Sequence, residues 1–439
     1  VQTGSATPMR RVAAACMVGS AIEFYDFLIY GTAAALVFPT VFFPDLSPTL
    51  ATIASMGTFA SAFVSRPVGG AAFGYLGDRL GRKRSLIATL LIMATATVSV
   101  GLVPTTASIG AAAPFILVAL RLIQGFAAGG EWAGSALLSI EYAPADRRGR
   151  YGMFTLLGGG LAALLTSLTF LSVNLSIGES SEAFLRWGWR IPFLVSSVLV
   201  GIALYVRLRI DETPVFAAEE ARHLTPKAPL RELLRSQPRE VALGGGSILS
   251  GMTFVYMAHT YLPHFAHSDL GYSRTFIWTV GALGGLASMT VVAISAVLSD
   301  RLGRRRTMML GWAGCLLWAP AVIPLIETGK PVCYAVAVIG MLGIANIGSG
   351  PTGAFIPELF ATRWRYSGAA LAVNLAGVAG GALPPLLAGT LQASYGAWAI
   401  GPMLAVTALV SLGCTYTLPE TKDAALQPDS IADAVPTGR

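Results

Sequence analysis

The chain has 439 residues, of which 54% are hydrophobic and 12% charged, and its net charge is +7. A soluble domain carries about 25% charged residues, so this composition cannot clothe a soluble surface of such size. In a soluble protein the positive balance would suggest nucleic acid; here the basic residues fall in short segments between apolar runs and read as membrane topology.

Apolar runs of about 20 residues recur along the chain, the length that crosses about 30 Å of hydrocarbon. Twelve spans are expected, near 12–38, 50–76, 85–104, 112–140, 151–174, 189–208, 240–266, 276–299, 307–326, 332–358, 367–390 and 396–418. The fold class is an all-α membrane protein, without the short alternating strands of a barrel. The first run is too long for the core of a signal peptide and reads as the first span. A polar segment at 209–239 divides the spans six and six. The expected units are a bundle over 1–208, a cytoplasmic linker over 209–239, a bundle over 240–421 and a disordered tail over 422–439. Of the 30 Lys and Arg residues, 24 fall in the termini and the loops after spans 2, 4, 6, 8 and 10. The positive-inside rule makes that side, with both termini, cytoplasmic.

The two halves repeat. "GYLGDRLGRKR" at 74–84 returns as "AVLSDRLGRRR" at 296–306, and "EYAPADRRGRYG" at 141–152 returns as "ELFATRWRYSG" at 358–368. Repeats in the same order imply two homologous six-helix bundles related by an axis along the membrane normal. Positive-inside anchoring explains the basic residues of the DRLGR loops. It does not explain an acid at the same place in both halves. A cytoplasmic gate is therefore expected from Asp78, Arg79 and Arg82 with Glu141 and Arg147, and from Asp300, Arg301 and Arg304 with Glu358 and Arg363.

Within the spans, ionisable groups cost roughly 2.5–3.5 kcal/mol each to insert, so they face a cavity or a partner. The first half holds Glu23, Asp26, Arg66, Arg121 and Glu131, and the second half holds His259. Counting residues from the span ends puts Asp26 and Arg121 within about 5 Å of the same depth, so they are expected to meet across a cavity. Glu23, Arg66 and Glu131 form a second layer nearer the cytoplasm. Glu23, Asp26 and Tyr30 share one helix face, as do Arg121 and Gln124. A carboxylate beside arginine stays ionised and, once desolvated without it, takes a proton. Asp26, Arg121 and Glu23 are thus the expected proton-coupling residues. A static pair that fixes helix packing is the competing reading of Asp26 and Arg121. Arg66, Arg121, Glu131, Tyr30 and Gln124, with Tyr256, His259, Asn346 and Asn374 from the second half, are the candidate substrate contacts.

The long motifs "GSAIEFYDFLIYG", "SRPVGGAAFGYLGDRLGRKR", "RLIQGFAAGGEWAGSALLSIEYAPADRRG", "RWGWRIPFL" and "DETPVF" resemble the major facilitator superfamily, in particular its metabolite:proton symporter branch. The resemblance covers residues 10 to 421. It implies twelve helices around a central cavity, alternating access, and proton-coupled uptake of a small organic acid or zwitterion at a bacterial inner membrane. It also implies a proton-coupling role for the span 1 acid and the R-x-x-Q-G motif of span 4, here Asp26 and Arg121.

Other chemistry finds no support in the sequence. The four cysteines lie in apolar runs and form no metal set. His264 and His267 are not spaced as a metal site. No G-x-x-x-x-G-K-[ST] loop or H-E-x-x-H helix occurs, so no nucleotide, metal or other cofactor is expected, and an enzyme is the least favoured class. The expected partners are a small carboxylate or zwitterion, protons and the lipid bilayer, with no nucleic acid, for a monomer. Proton-antiport efflux and a non-transporting metabolite sensor are the alternatives.

Overall fold

The computed structural model describes residues 9–178, 181–208 and 229–422. It is helical throughout these residues, and twelve long helices follow one another. They are α1 (Met9–Leu36), α2 (Pro48–Leu80), α3 (Arg82–Leu102), α4 (Ala112–Glu141), α5 (Arg148–Ile177), α6 (Ile191–Leu208), α7 (Pro238–Ser268), α8 (Arg274–Leu302), α9 (Arg304–Glu327), α10 (Pro331–Glu358), α11 (Arg365–Tyr395) and α12 (Ala397–Thr417). Among the described residues, 11 are apolar and long enough to cross a membrane by composition alone. The twelfth, α2, has 33 residues but is diluted by Arg66, Pro67 and several serines, threonines and glycines. Those residues serve packing and chemistry inside the bundle, so the helix spans without being strongly apolar. It runs unbroken through Pro67.

The DRLGR repeat is a repeat of backbone shape. Gly81 joins α2 to α3 at φ 103° and ψ 151°; Gly303 joins α8 to α9 at φ 100° and ψ 150°. An L side chain rarely adopts this φ, so glycine lets two long helices reverse across one residue. Gly77 is different: it stays helical, and a Cβ there would lie 2.6 Å from the Tyr366 ring. It is a close-approach glycine and takes no part in the turn.

Two large hydrophobic cores form, with two smaller clusters beside them. One gathers Tyr30, Phe38, Phe59, Trp189 and Phe193 from the first half. The other gathers Trp312, Met341, Phe355 and Tyr366 from the last six helices, and also takes in the C-terminal end of α4 from Trp132 to Ile140. Large apolar side chains such as Val64, Phe115, Leu175, Leu317 and Val332 point outward, as lipid-facing positions should.

Only part of the segment expected as a linker over 209–239 falls among the described residues. Residues 209–228 lie outside the described residues, while Pro229–Ser236 is a helix and α7 starts at Pro238. Gln237 anchors this stretch by donating to the Leu359 carbonyl and accepting from Trp364 Nε1 at 2.6 Å. The expectation of a tail over 422–439 falls, after Lys422, outside the described residues.

Candidate functional site

Close helix contact sets the stage in the first half. A Cβ on Gly125 would lie 1.9 Å from the Ala62 carbonyl oxygen, and one on Gly129 2.2 Å from that of Arg66. The two glycines let α4 lie directly on α2. This brings the charged residues of α1, α2 and α4 into one buried layer.

The pairing within that layer differs from the sequence expectation. Asp26 and Arg121 are both fully buried, yet they make no direct ion pair. Thr97 of α3 donates to Asp26 Oδ2 at 2.8 Å, and Ser196 of α6 donates to Oδ1. Gln124 Nε2 donates to Thr97 Oγ1 at 2.7 Å, and Arg121 Nη1 donates to Gln124 Oε1 at 3.0 Å. The acid and the guanidinium are therefore joined through two neutral side chains. Depth counting found the right layer, but it could not see that Thr97 stands between them.

The second layer also re-pairs. Arg66 binds Glu23 at 3.2 Å. Glu131 binds Arg207 instead of Arg66, and also accepts from Thr89 at 2.6 Å. Arg207 stands near the end of its span, where a cation reads as part of the following loop. It is buried, and also donates to the Leu86 carbonyl at 2.7 Å. An uncompensated acid at Glu131 was the signal that could have found it.

Aromatic rings hold the two central guanidiniums. Arg121 lies 4.1 Å from the Tyr30 ring centroid and 4.3 Å from that of Phe27; Arg66 lies 4.1 Å from Phe27 and 5.0 Å from Phe63. Tyr30 donates its hydroxyl to Thr58 at 2.9 Å, which fixes the ring. Several polar atoms in this region are buried without a hydrogen-bond partner: Arg121 Nε and Nη2, Arg66 Nε, Glu23 Oε2 and Tyr256 Oη. Such atoms are costly unless something polar arrives to meet them.

Tyr256, His259 and Asn346 line a central chamber of about 90 Å³, shared with Phe24, Trp132 and Ser288. His259 also borders a smaller cavity of about 30 Å³ toward Trp278. It belongs to Met257–Tyr261, one turn of wide π geometry that follows Tyr256. A second such turn, Gly377–Ala382, interrupts α11. Wide turns of this kind often mark functional places in helices. Asn346 donates to Ser288 at 3.1 Å. Asn374 does not line the chamber: it donates to the Gly129 carbonyl at 2.7 Å and ties α11 to α4.

Bonds between the halves occur toward both ends of the bundle. On the side of the DRLGR loops, Asp300 accepts the backbone N–H groups of Gly149 and Arg150, the first turn of α5, at 2.9 and 2.8 Å. Arg304 holds Asp300 at 2.8 Å and Glu358 at 3.0 Å. Arg301 is exposed and contributes its carbonyl, not its side chain, to Lys422. Arg147 binds its exposed neighbour Asp146 at 3.2 Å, outside this cluster. Glu141 stands at the last residue of α4. The side chains of Asp78, Arg79, Arg82 and Arg363 lie outside the described residues. On the opposite side, His264 and Arg274 reach the α1 carbonyls of Ala35 and Leu36 at 3.2 and 3.0 Å. A vestibule of about 700 Å³ on this side is lined by both His264 and Arg274.

Among curated proteins, the chain is 39% identical over 421 residues to the inner membrane metabolite transport protein YhjE of Escherichia coli, covering 95% of each chain. It is 37% identical to the shikimate transporter of the same organism, over 89% of each, and 31% identical to its proline/betaine transporter, over 95% of this chain and 85% of that one. Among solved structures, the proton:xylose symporter XylE of the major facilitator superfamily superposes with a TM-score of 0.73, at 18% identity, over 95% of this chain and 97% of that one. That likeness shows the fold. The relatives are transporters, so the chain is a multi-pass membrane transporter of a small molecule and not an enzyme. The profile of the family described as "Sugar (and other) transporter" matches residues 12–428, and the chain belongs to that family of the major facilitator superfamily, with its twelve-helix fold.

Proposed function

We propose that this protein imports a small carboxylate or zwitterion together with protons, by alternating access between its two six-helix bundles, with both termini in the cytoplasm. The observation that carries the reading is Arg121. It is fully buried, and its Nε and Nη2 have no hydrogen-bond acceptor. The nearby acid Asp26 is occupied by Thr97 and Ser196. A buried guanidinium with free donors matches a carboxylate, which takes two parallel N–H bonds from one fork. The apolar lining of the central chamber, from Phe24, Leu28, Trp132 and Met252, suits the body of such a molecule.

Proton coupling follows from the same arrangement. The arriving anion takes Arg121, and Asp26 carries the proton that travels with it. No nucleotide site is involved; the energy comes from the proton gradient. The relatives named for shikimate and for proline/betaine support a substrate carrying a carboxylate.

The test uses the purified protein in liposomes, with labelled shikimate, α-ketoglutarate and betaine as probes. The wild type accumulates at least one probe when the outside is made acidic. Asp26→Asn loses that accumulation while retaining exchange of the same probe across the membrane. Accumulation driven by pH in Asp26→Asn at the wild-type level removes Asp26 from the coupling step.

A further inference from the structure

The Thr97 hydroxyl has one hydrogen and two acceptors in reach. Asp26 Oδ2 stands 2.8 Å away and the Met93 carbonyl 2.9 Å away. The same oxygen accepts from Gln124 Nε2. The orientation of the Gln124 amide is forced, because a guanidinium only donates: Oε1 must face Arg121, which leaves Nε2 for Thr97. Asp26, Thr97, Gln124 and Arg121 are all 0% exposed. Water therefore does not dilute the contact between them.

We propose that Thr97 and Gln124 form a relay through which the proton on Asp26 and an anion on Arg121 sense each other, the Thr97 hydroxyl reversing direction as Asp26 gains or loses its proton. With Asp26 ionised, Thr97 donates to Oδ2 and accepts from Gln124. With the proton on Oδ2, the acid donates to Thr97 Oγ1, and the threonine hydrogen turns to the Met93 carbonyl. The oxygen then accepts from both Asp26 and Gln124, which is its full capacity. No heavy atom moves, so both states are satisfied by one packing. What changes is charge: protonation removes the negative end of a chain that terminates at Arg121. An anion at Arg121 then becomes more favourable, and by linkage an anion there favours the proton on Asp26.

The charged and titratable surroundings of Asp26 are Glu23 and Tyr25 on its own helix and Arg121 on α4; α3 and α6 contribute only the hydroxyls of Thr97 and Ser196. Among the described residues, the continuous hydrogen-bonded path from Asp26 to Arg121 runs through Thr97 and Gln124. Both are positioning residues. They act on proton and substrate through Asp26 and Arg121. The relay rests on the reading that the substrate anion seats on Arg121, and its test includes a measurement made without substrate.

That measurement is an infrared titration of the full-length protein in liposomes, between about pH 4 and 9. The carboxyl C=O band of protonated Asp26 is identified by its loss in Asp26→Asn. Thr97→Val shifts the band frequency, Gln124→Leu shifts it less, and Thr97→Ser leaves it in place. In transport, the ratio of pH-driven accumulation to exchange of the three probes falls about tenfold in Thr97→Val and Gln124→Leu, the scale of one lost hydrogen bond to a charged group. Thr97→Ser restores it. Absence of an Asp26 band over this range, or a band unmoved in Thr97→Val and Gln124→Leu, overturns the relay. If the wild type accumulates no probe, the proposed function fails, while the infrared result still decides the relay.

Discussion

The two halves of this transporter share a backbone and divide the chemistry. The joints at Gly81 and Gly303 match within a few degrees. Yet the helices of the first half hold Glu23, Asp26, Arg66, Arg121, Glu131 and Arg207, all buried. The corresponding depth of the second half offers Tyr256, His259, Ser288 and Asn346. Ser288 stands 222 positions after Arg66, the offset of the repeated loop, and it bonds Asn346 where Arg66 bonds Glu23. Duplicated helices thus came to carry ions on one side and neutral hydrogen bonds on the other. In the second half, the ion pairs among the described residues are those of Arg304, at the end that carries the DRLGR loops. The physical lesson is economy: each buried charge costs several kcal/mol, and one responsive half is enough for coupling if the other supplies shape and the wide helical turns.

The sharpest way to break this contrast is at Arg121. Arg121→Lys keeps the charge and removes the planar fork and the stacking on Tyr30 and Phe27. Uptake of the transported probe is expected to fall at least about a hundredfold, since a buried charged hydrogen-bond set is worth about 2–3 kcal/mol or more. Direct binding measured by scintillation proximity should fall with it. Wild-type uptake in Arg121→Lys would show that a point charge suffices and that the anion is not held bidentately.

The Glu131–Arg207 pair tests stability where Arg121 tests transport. Removing one partner leaves the other charge buried and alone, at a cost of about 3–5 kcal/mol. Glu131→Gln and Arg207→Met should each lower the thermal unfolding temperature in detergent by many degrees. The double variant Glu131→Gln with Arg207→Met should recover most of that loss, because no buried ion remains. If the double variant is as unstable as the sum of the singles, the pair is not an isolated structural unit and Glu131 has another partner at the site.

Much of the fold was legible because it is written in composition and repetition. The twelve spans follow from apolar runs, and the pseudo-symmetry from two copies of one loop. Helix ends moved because amphipathic residues such as those in Pro229–Ser236 continue a helix without an apolar signal. Most of the charged layer was also legible, since an ion deep in a span stands out; Arg207, near the end of its span, was not. Its pairing was not. Whether Glu131 finds Arg66 or Arg207 depends on helix rotation and on the α2–α4 contact at Gly125 and Gly129, which residue counting along single helices does not contain. Thr97 and Ser196 were missed for a simpler reason: a hydroxyl in a span usually bonds its own helix backbone, as Thr95 and Ser99 do. Nothing in the sequence distinguishes Thr97, two residues from each, from those two.

The smallest expected effect tests the neutral half. Asn346 donates to Ser288 and to the Leu342 carbonyl of its own helix, at 3.1 and 2.8 Å. Asn346→Ala removes one neutral interhelical bond in the chamber wall, worth about 1 kcal/mol within a membrane bundle. It should raise the KM for the transported probe about fivefold and leave the ratio of pH-driven accumulation to exchange at its wild-type value. The two readouts separate because Asn346 contacts the chamber, while the chain that links Asp26 to Arg121 runs entirely through α1, α3 and α4. A collapse of that ratio in Asn346→Ala would mean that the second half also handles the proton, with His259 in the same chamber wall as the first group to test, and the division of labour drawn from the buried charges would have to be redrawn.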